Sequence, residues 1–121
     1  MTQPMTVRVH DIVGGPLCVS TEDGQRLHDK IFPLLNAGTP LVLSFERVDT
    51  LISAFLNAAI GQLYGELPEE RLRELLSVRD MNDDDRVILK RVVDNAKLYF
   101  KHREEFDRAW REELGDEDDE E

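Results

Sequence analysis

The sequence predicts an α/β domain, and three observations carry that prediction. Segments with the two-residue period of strands alternate with segments at helical spacing, the order of an α/β layer with right-handed crossovers. Residues 40–45, Pro-Leu-Val-Leu-Ser-Phe, form a near-continuous run of apolar β-formers between turn signals, the pattern of a central strand covered on both faces. A helical stripe then runs from residue 83 to about residue 114, longer than a domain of this size is wide. At 121 residues the chain has room for one core.

The elements follow in order. In residues 5–13, Met5, Val7 and Val9 alternate with Thr6, Arg8 and His10, which predicts a half-buried strand. Gly14-Gly15-Pro16 turns the chain, and Leu17-Cys18-Val19 is expected to return as a short second strand. Ser20 or Thr21 caps a helix whose first turn holds Glu22 and Asp23, where the helix dipole favours them. Leu27, Ile31, Leu34 and Leu35 give that helix one apolar face, and Asn36-Ala37-Gly38 ends it.

Residues 50–64 leave almost no polar face, so a helix here must be buried on several sides, with Asn57 as a buried hydrogen-bonding anchor. Gly65-Glu66-Leu67-Pro68 breaks the chain and Pro68 opens a short helix. Leu72, Leu75, Leu76 and Val78 lead to a strand ending near Asp80-Met81. Asn82 or Asp83 caps the last helix, along which Ile88, Val92, Ala96, Tyr99, Arg103, Phe106 and Trp110 step by three or four residues. The domain is read as residues 1–114, with the long helix over 83–114 and an acidic disordered tail over 115–121.

Charge divides the chain. The net charge is −11, but residues 116–121 are six acids in a row, and without them 20 acids face 15 bases. The acidic balance argues against nucleic acid as a partner. No apolar run reaches the roughly 18 residues of a membrane span, and residues 1–4 lack a signal pattern, so a cytoplasmic location is expected. Cys18 is the sole cysteine and is expected to be a buried core residue.

Catalytic and cofactor motifs are weak. Neither Gly14-Gly15 nor the span from Gly61 to Gly65 has the spacing of a phosphate cradle, and no serine sits on a glycine-flanked elbow. His10, His28 and His102 form no spaced metal pair and are read as surface or rim residues. Asp83-Asp84-Asp85 suits a helix N-terminus and lacks the spacing of a calcium loop. No cofactor, no metal site and no enzyme activity are therefore expected.

One segment is more specific: Ser44-Phe45-Glu46-Arg47-Val48, then Ser53-Ala54-Phe55-Leu56-Asn57 opening an apolar helix, then Gly61-Gln62-Leu63-Tyr64. It resembles the signature of a bacterial STAS-like domain family of uncharacterised function, STAS standing for sulphate transporter and anti-sigma factor antagonist. The resemblance extends to Ser20-Thr21-Glu22-Asp23-Gly24 and Val92-Val93-Asp94-Asn95-Ala96, and so spans about residues 7–99. It implies a small STAS-like mixed sheet of about four strands with helices. It further implies signalling by protein–protein interaction, like that of anti-sigma factor antagonists, with a histidine-kinase-like ATPase as the partner.

In those antagonists a serine at a strand-to-helix junction is phosphorylated, which makes Ser53 the implied phosphosite. The antagonists carry Asp before that serine and Ser-Gly or Thr-Gly after it, whereas here Ile52 precedes and Ala54-Phe55 follow. Apart from that switch, Ser53 serves as a helix N-cap. The docking face is read as Thr50, Ser53, Phe55 and Asn57. The alternative is a homo-oligomeric structural or adaptor protein assembled through the long C-terminal helix, with Phe106 and Trp110 as a homodimer contact.

Overall fold

The computed structural model describes residues 3–110. Elements follow in the order β1 (Met5–Arg8), α1 (Val9–Val13), β2 (Leu17–Cys18), α2 (Thr21–Asn36), β3 (Leu41–Ser44), β4 (Thr50–Leu51), α3 (Ser53–Ala59), a 3-10 segment (Gly61–Gly65), α4 (Glu69–Leu75), β5 (Leu76–Arg79) and α5 (Asp83–Trp110).

The main sheet has three strands in the order β1-β3-β5, all parallel, and β2 and β4 form a separate parallel pair. The expectation of a mixed sheet of about four strands is corrected accordingly. The β2 segment does not return along β1. It lies beside β4 instead, because residues 9–13 leave the sheet and wind into α1, closed by Gly14 in the left-handed region at φ 90 with its N–H on the His10 carbonyl. The α1 turn shortens the first strand to four residues and carries the chain to a second layer.

β3 is the central strand, as its sequence predicts. Both connections step the same way across the sheet, which places their helices on one face. The register sets Val7, Leu43 and Val78 in one row and Thr6, Val42 and Ser77 in the next, on opposite faces. Val7, Leu41 and Leu43 are buried, while Thr6, Arg8, Ser77 and Arg79 are exposed and Val42 is half-buried. Helices close the sheet on one side; on β3 the face of Leu41 and Leu43 is buried as predicted, and the other is covered in part, with Val42 half-buried and Ser44 buried where it donates to Asp80.

α2 begins where predicted: Ser20 Oγ accepts the Asp23 N–H at 3.0 Å. Its apolar stripe, Leu27, Ile31 and Leu35, is fully buried. Against it lies α3, at a crossing so close that a Cβ on Gly24 would stand 2.5 Å from the Phe55 carbonyl oxygen. The predicted helix over residues 50–64 is divided. Thr50–Leu51 pair as a strand, α3 is seven residues long, and the chain then tightens into the 3-10 segment. Gly61 marks that change and sits against Val92 and Ala96 of α5. At the start of α5, Asn82 Oδ1 accepts the Asp85 N–H at 2.8 Å.

His28 corrects the reading of the three histidines as rim residues: it is 6 % exposed. Its Nε2 lies 2.6 Å from Glu66 Oε1 and its ring stacks on Phe32. Gln62 donates to Gln25, which donates in turn to Asp29 beside His28. This polar chain fastens α2 to the segment after Gly61. Hydrogen bonds from Gln25 and His28 hold the Asp29 carboxyl below its usual range.

Cys18 is buried, as expected. Burial, with the negative charges of Asp23 and Asp85, pushes its thiol up to about 11. A raised acid binds its proton more tightly when folded, so this group lowers stability as pH climbs above 9.0 towards about 11. The expected result is a thiol inert to a disulfide reagent at pH 8 in the native protein and fully reactive in denaturant. Rapid native modification would overturn the burial of Cys18.

Candidate functional site

The junction between β4 and α3 builds a surface cleft. The Asp49 N–H bonds to the Pro16 carbonyl and the Ile52 N–H to the Cys18 carbonyl, so the chain enters α3 tethered to β2. Ile52 occupies the N-cap position in extended conformation, with no side-chain cap, and Ser53 is the first helical residue. α3 buries Phe55, Leu56 and Ala59, which turns Ser53 and Asn57, four residues apart, to the outside.

α5 forms the other wall. Its inward stripe of Ile88, Val92 and Ala96 packs on the core, and Arg91 and Asn95 sit on the shoulder of that stripe. Between the walls lies a cleft of about 370 Å³ with Leu51, Ile88 and Val92 at its base and Ser53, Asn57, Arg91 and Asn95 around it. Past Asn57 and Asn95 it continues into a hollow of about 190 Å³ between Gly61 and Tyr99. The cleft therefore offers a hydroxyl, two carboxamides and one guanidinium over an aliphatic base. Ile52 in the cleft wall is 38 % exposed, apolar surface left open to solvent.

The predicted docking residues separate. Thr50, Ser53 and Asn57 are exposed, and Ser53 and Asn57 share the cleft. Phe55 is fully buried, so its ring belongs to the core and cannot meet a partner. Asn57 is no buried anchor: the rotational phase of α3 puts it on the rim opposite Leu56 and Ala59. Ser53 follows the N-cap instead of occupying it. Ile52, Arg91 and Asn95 line the cleft without having been singled out from the sequence. The signal for the last two was present in the i, i+4 spacing beside the apolar stripe of α5. The backbone of α5 continues through Phe106 and Trp110, but their side chains lie outside the described residues, as does the acidic tail.

At the first turn of α5 the surroundings disfavour the charge of Asp85. Asp85 has its carboxyl raised, by burial first and then by the neighbouring charge of Asp84. No group of three or more His, Cys, Asp or Glu side chains that could hold a metal ion occurs among the described residues. No described helix is long and apolar enough to cross a membrane.

Fold and cleft together define a small one-faced α/β domain with a surface cleft at a strand-to-helix junction. The family model for the STAS-like domain of unknown function (DUF4325) matches residues 23–86, more than half of the chain, and the chain belongs to that family. The match runs from the first turn of α2 into the first turn of α5. It includes Ser53 and Asn57, and leaves Arg91, Asn95 and the resembling segment 92–96 outside. No curated protein and no solved structure matches the chain.

Proposed function

We propose that the protein is a non-catalytic regulatory module that docks a partner protein over the cleft between α3 and α5. The observation that carries this reading is the position of Ser53: exposed, at the head of α3, on the rim of an apolar-based cleft that also holds Arg91. The open apolar side chain of Ile52 supplies burial energy, and the two asparagines supply orientation. From the STAS resemblance, the partner is a histidine-kinase-like ATPase in a bacterial signalling system, and Ser53 is its phosphosite. A phosphate there adds about −1.5 to −2 charges to a surface that must be desolvated on docking, enough to release the partner.

The test is affinity capture from the native cell, read by mass spectrometry for both partner and phosphosite, followed by titration of the captured partner. Ser53→Asp is expected to weaken binding at least tenfold, roughly 1.4 kcal/mol, with the melting temperature unchanged. Ser53→Ala is expected to bind as wild type. Equal binding by Ser53→Asp, or cross-links mapping away from residues 52–57 and 88–95, overturns the reading.

A further inference from the structure

A second hollow, of about 730 Å³, lies at the other end of the helical layer and shares none of the cleft's polar rim. One wall is the 3-10 segment and the loop from Gly65 to Glu69, the other is α5 from Lys97 to Arg103. Its base is aromatic. The Phe100 ring lies so close over Gly65 that a Cβ there would come within 2.3 Å of it, and Tyr64 stands beside, its ring 6.0 Å from Lys97 Nζ.

The charge of this hollow runs against that of the chain. The two carboxylates among its described lining residues are already engaged: Glu66 Oε1 faces His28, and Glu69 Oε2 is held at 2.9 Å by both Arg73 and Lys97. Those bonds, Lys97 first, hold the Glu69 carboxyl below its usual range. Lys101 and Arg103 add two more cations to the lining. A basic, aromatic-based groove thus sits on a chain of net charge −11 that carries an unbroken run of six acids at residues 116–121.

Chain length permits the two to meet. Lys101 stands nine residues before the last described residue, about 14 Å back along a helix. Residues 111–115 span up to about 17 Å when extended, so a chain that turns back after residue 110 brings Asp116 level with Lys101. The six acids then reach along the groove towards Lys97 and Arg73. A tethered segment is present at an effective concentration in the millimolar range, which favours it over any free acidic peptide.

We propose that the acidic segment 116–121 docks into this groove of its own chain, a self-contact that occupies the basic hollow until a more strongly acidic partner displaces it. The contact is independent of docking at Ser53. The test uses the full-length chain with a nitroxide on Glu121→Cys, the buried Cys18 remaining unlabelled, and reads amide relaxation by NMR. The expected result is enhancement at residues 64–69 and 97–103 in low salt. It should fall at least twofold in the Lys101→Glu, Arg103→Glu variant and again at about 0.5 M salt, where the Debye length is only a few ångströms. Both substituted residues are exposed, and unchanged shifts elsewhere will show the fold intact. No enhancement in the groove overturns the proposal, as does enhancement that survives charge reversal and salt. Enhancement seen only when spin-labelled and isotope-labelled chains are mixed also overturns it, because the segment then comes from a second copy.

Discussion

Gly24→Ala is expected to lower the melting temperature by about 10 °C, although it adds a single methyl group to a helix and alanine is the better helix former. The new Cβ would stand 2.5 Å from the Phe55 carbonyl oxygen and 2.8 Å from Ala58 Cβ, and the first of these atoms is backbone. Neither helix can yield alone: α2 buries Leu27, Ile31 and Leu35 on the same face, and α3 buries Phe55, Leu56 and Ala59. Overpacking of this kind costs about 3 kcal/mol. Gly15→Ala serves as the control, since nothing lies within 4 Å of its added Cβ. Thermal unfolding followed by circular dichroism checks both. A Gly24→Ala variant that melts with wild type would mean that α2 and α3 do not cross at this distance.

The second large effect is expected at Phe55. It is the largest of the fully buried side chains, and Phe55→Ala should remove about 3–5 kcal/mol, a large part of the 5–15 kcal/mol that holds a domain together. Chemical denaturation measures it, with Phe55→Leu expected to retain most of the stability. This result separates core from surface within one helix. Phe55→Ala weakens binding only in proportion to the fraction unfolded, whereas Ser53→Asp leaves the unfolding midpoint in place. A Phe55→Ala protein of wild-type stability would put the ring on the surface and restore it to the docking face.

These two residues also show what was legible. Local signals were reliable: Ser20 and Asn82 cap the helices they precede, the β3 run lies at the centre of the sheet, and the stripe of α5 meets the core through Ile88 and Val92. Errors arose where a distant segment decides. Met5, Val7 and Val9 alternate like a strand, but Ile12 and Val13 break the period and the chain coils into α1. His28 is buried because Glu66, 38 residues away, comes to 2.6 Å, and no pattern around His28 announces that partner. Helix α3 is short and apolar nearly all round, so its outward face was set by the crossing with α2 and α5 rather than by its own composition. That is why Phe55 lies in the core instead of on the docking face, and Asn57 on the rim instead of buried.

The parallel register has a kinetic consequence. Met5 pairs with Leu41 and Leu41 with Leu76, so each ladder joins residues about 35 apart, and no strand pair of the sheet can form as a hairpin. One long loop must close before each ladder can form, and such topologies fold more slowly than local ones of equal stability. During synthesis β1 and β3 emerge well before β5, leaving the apolar edge of Leu41 and Leu43 unpaired until residues 76–79 arrive. Chains interrupted between residues 45 and 76 therefore present an open parallel edge and are the species expected to aggregate.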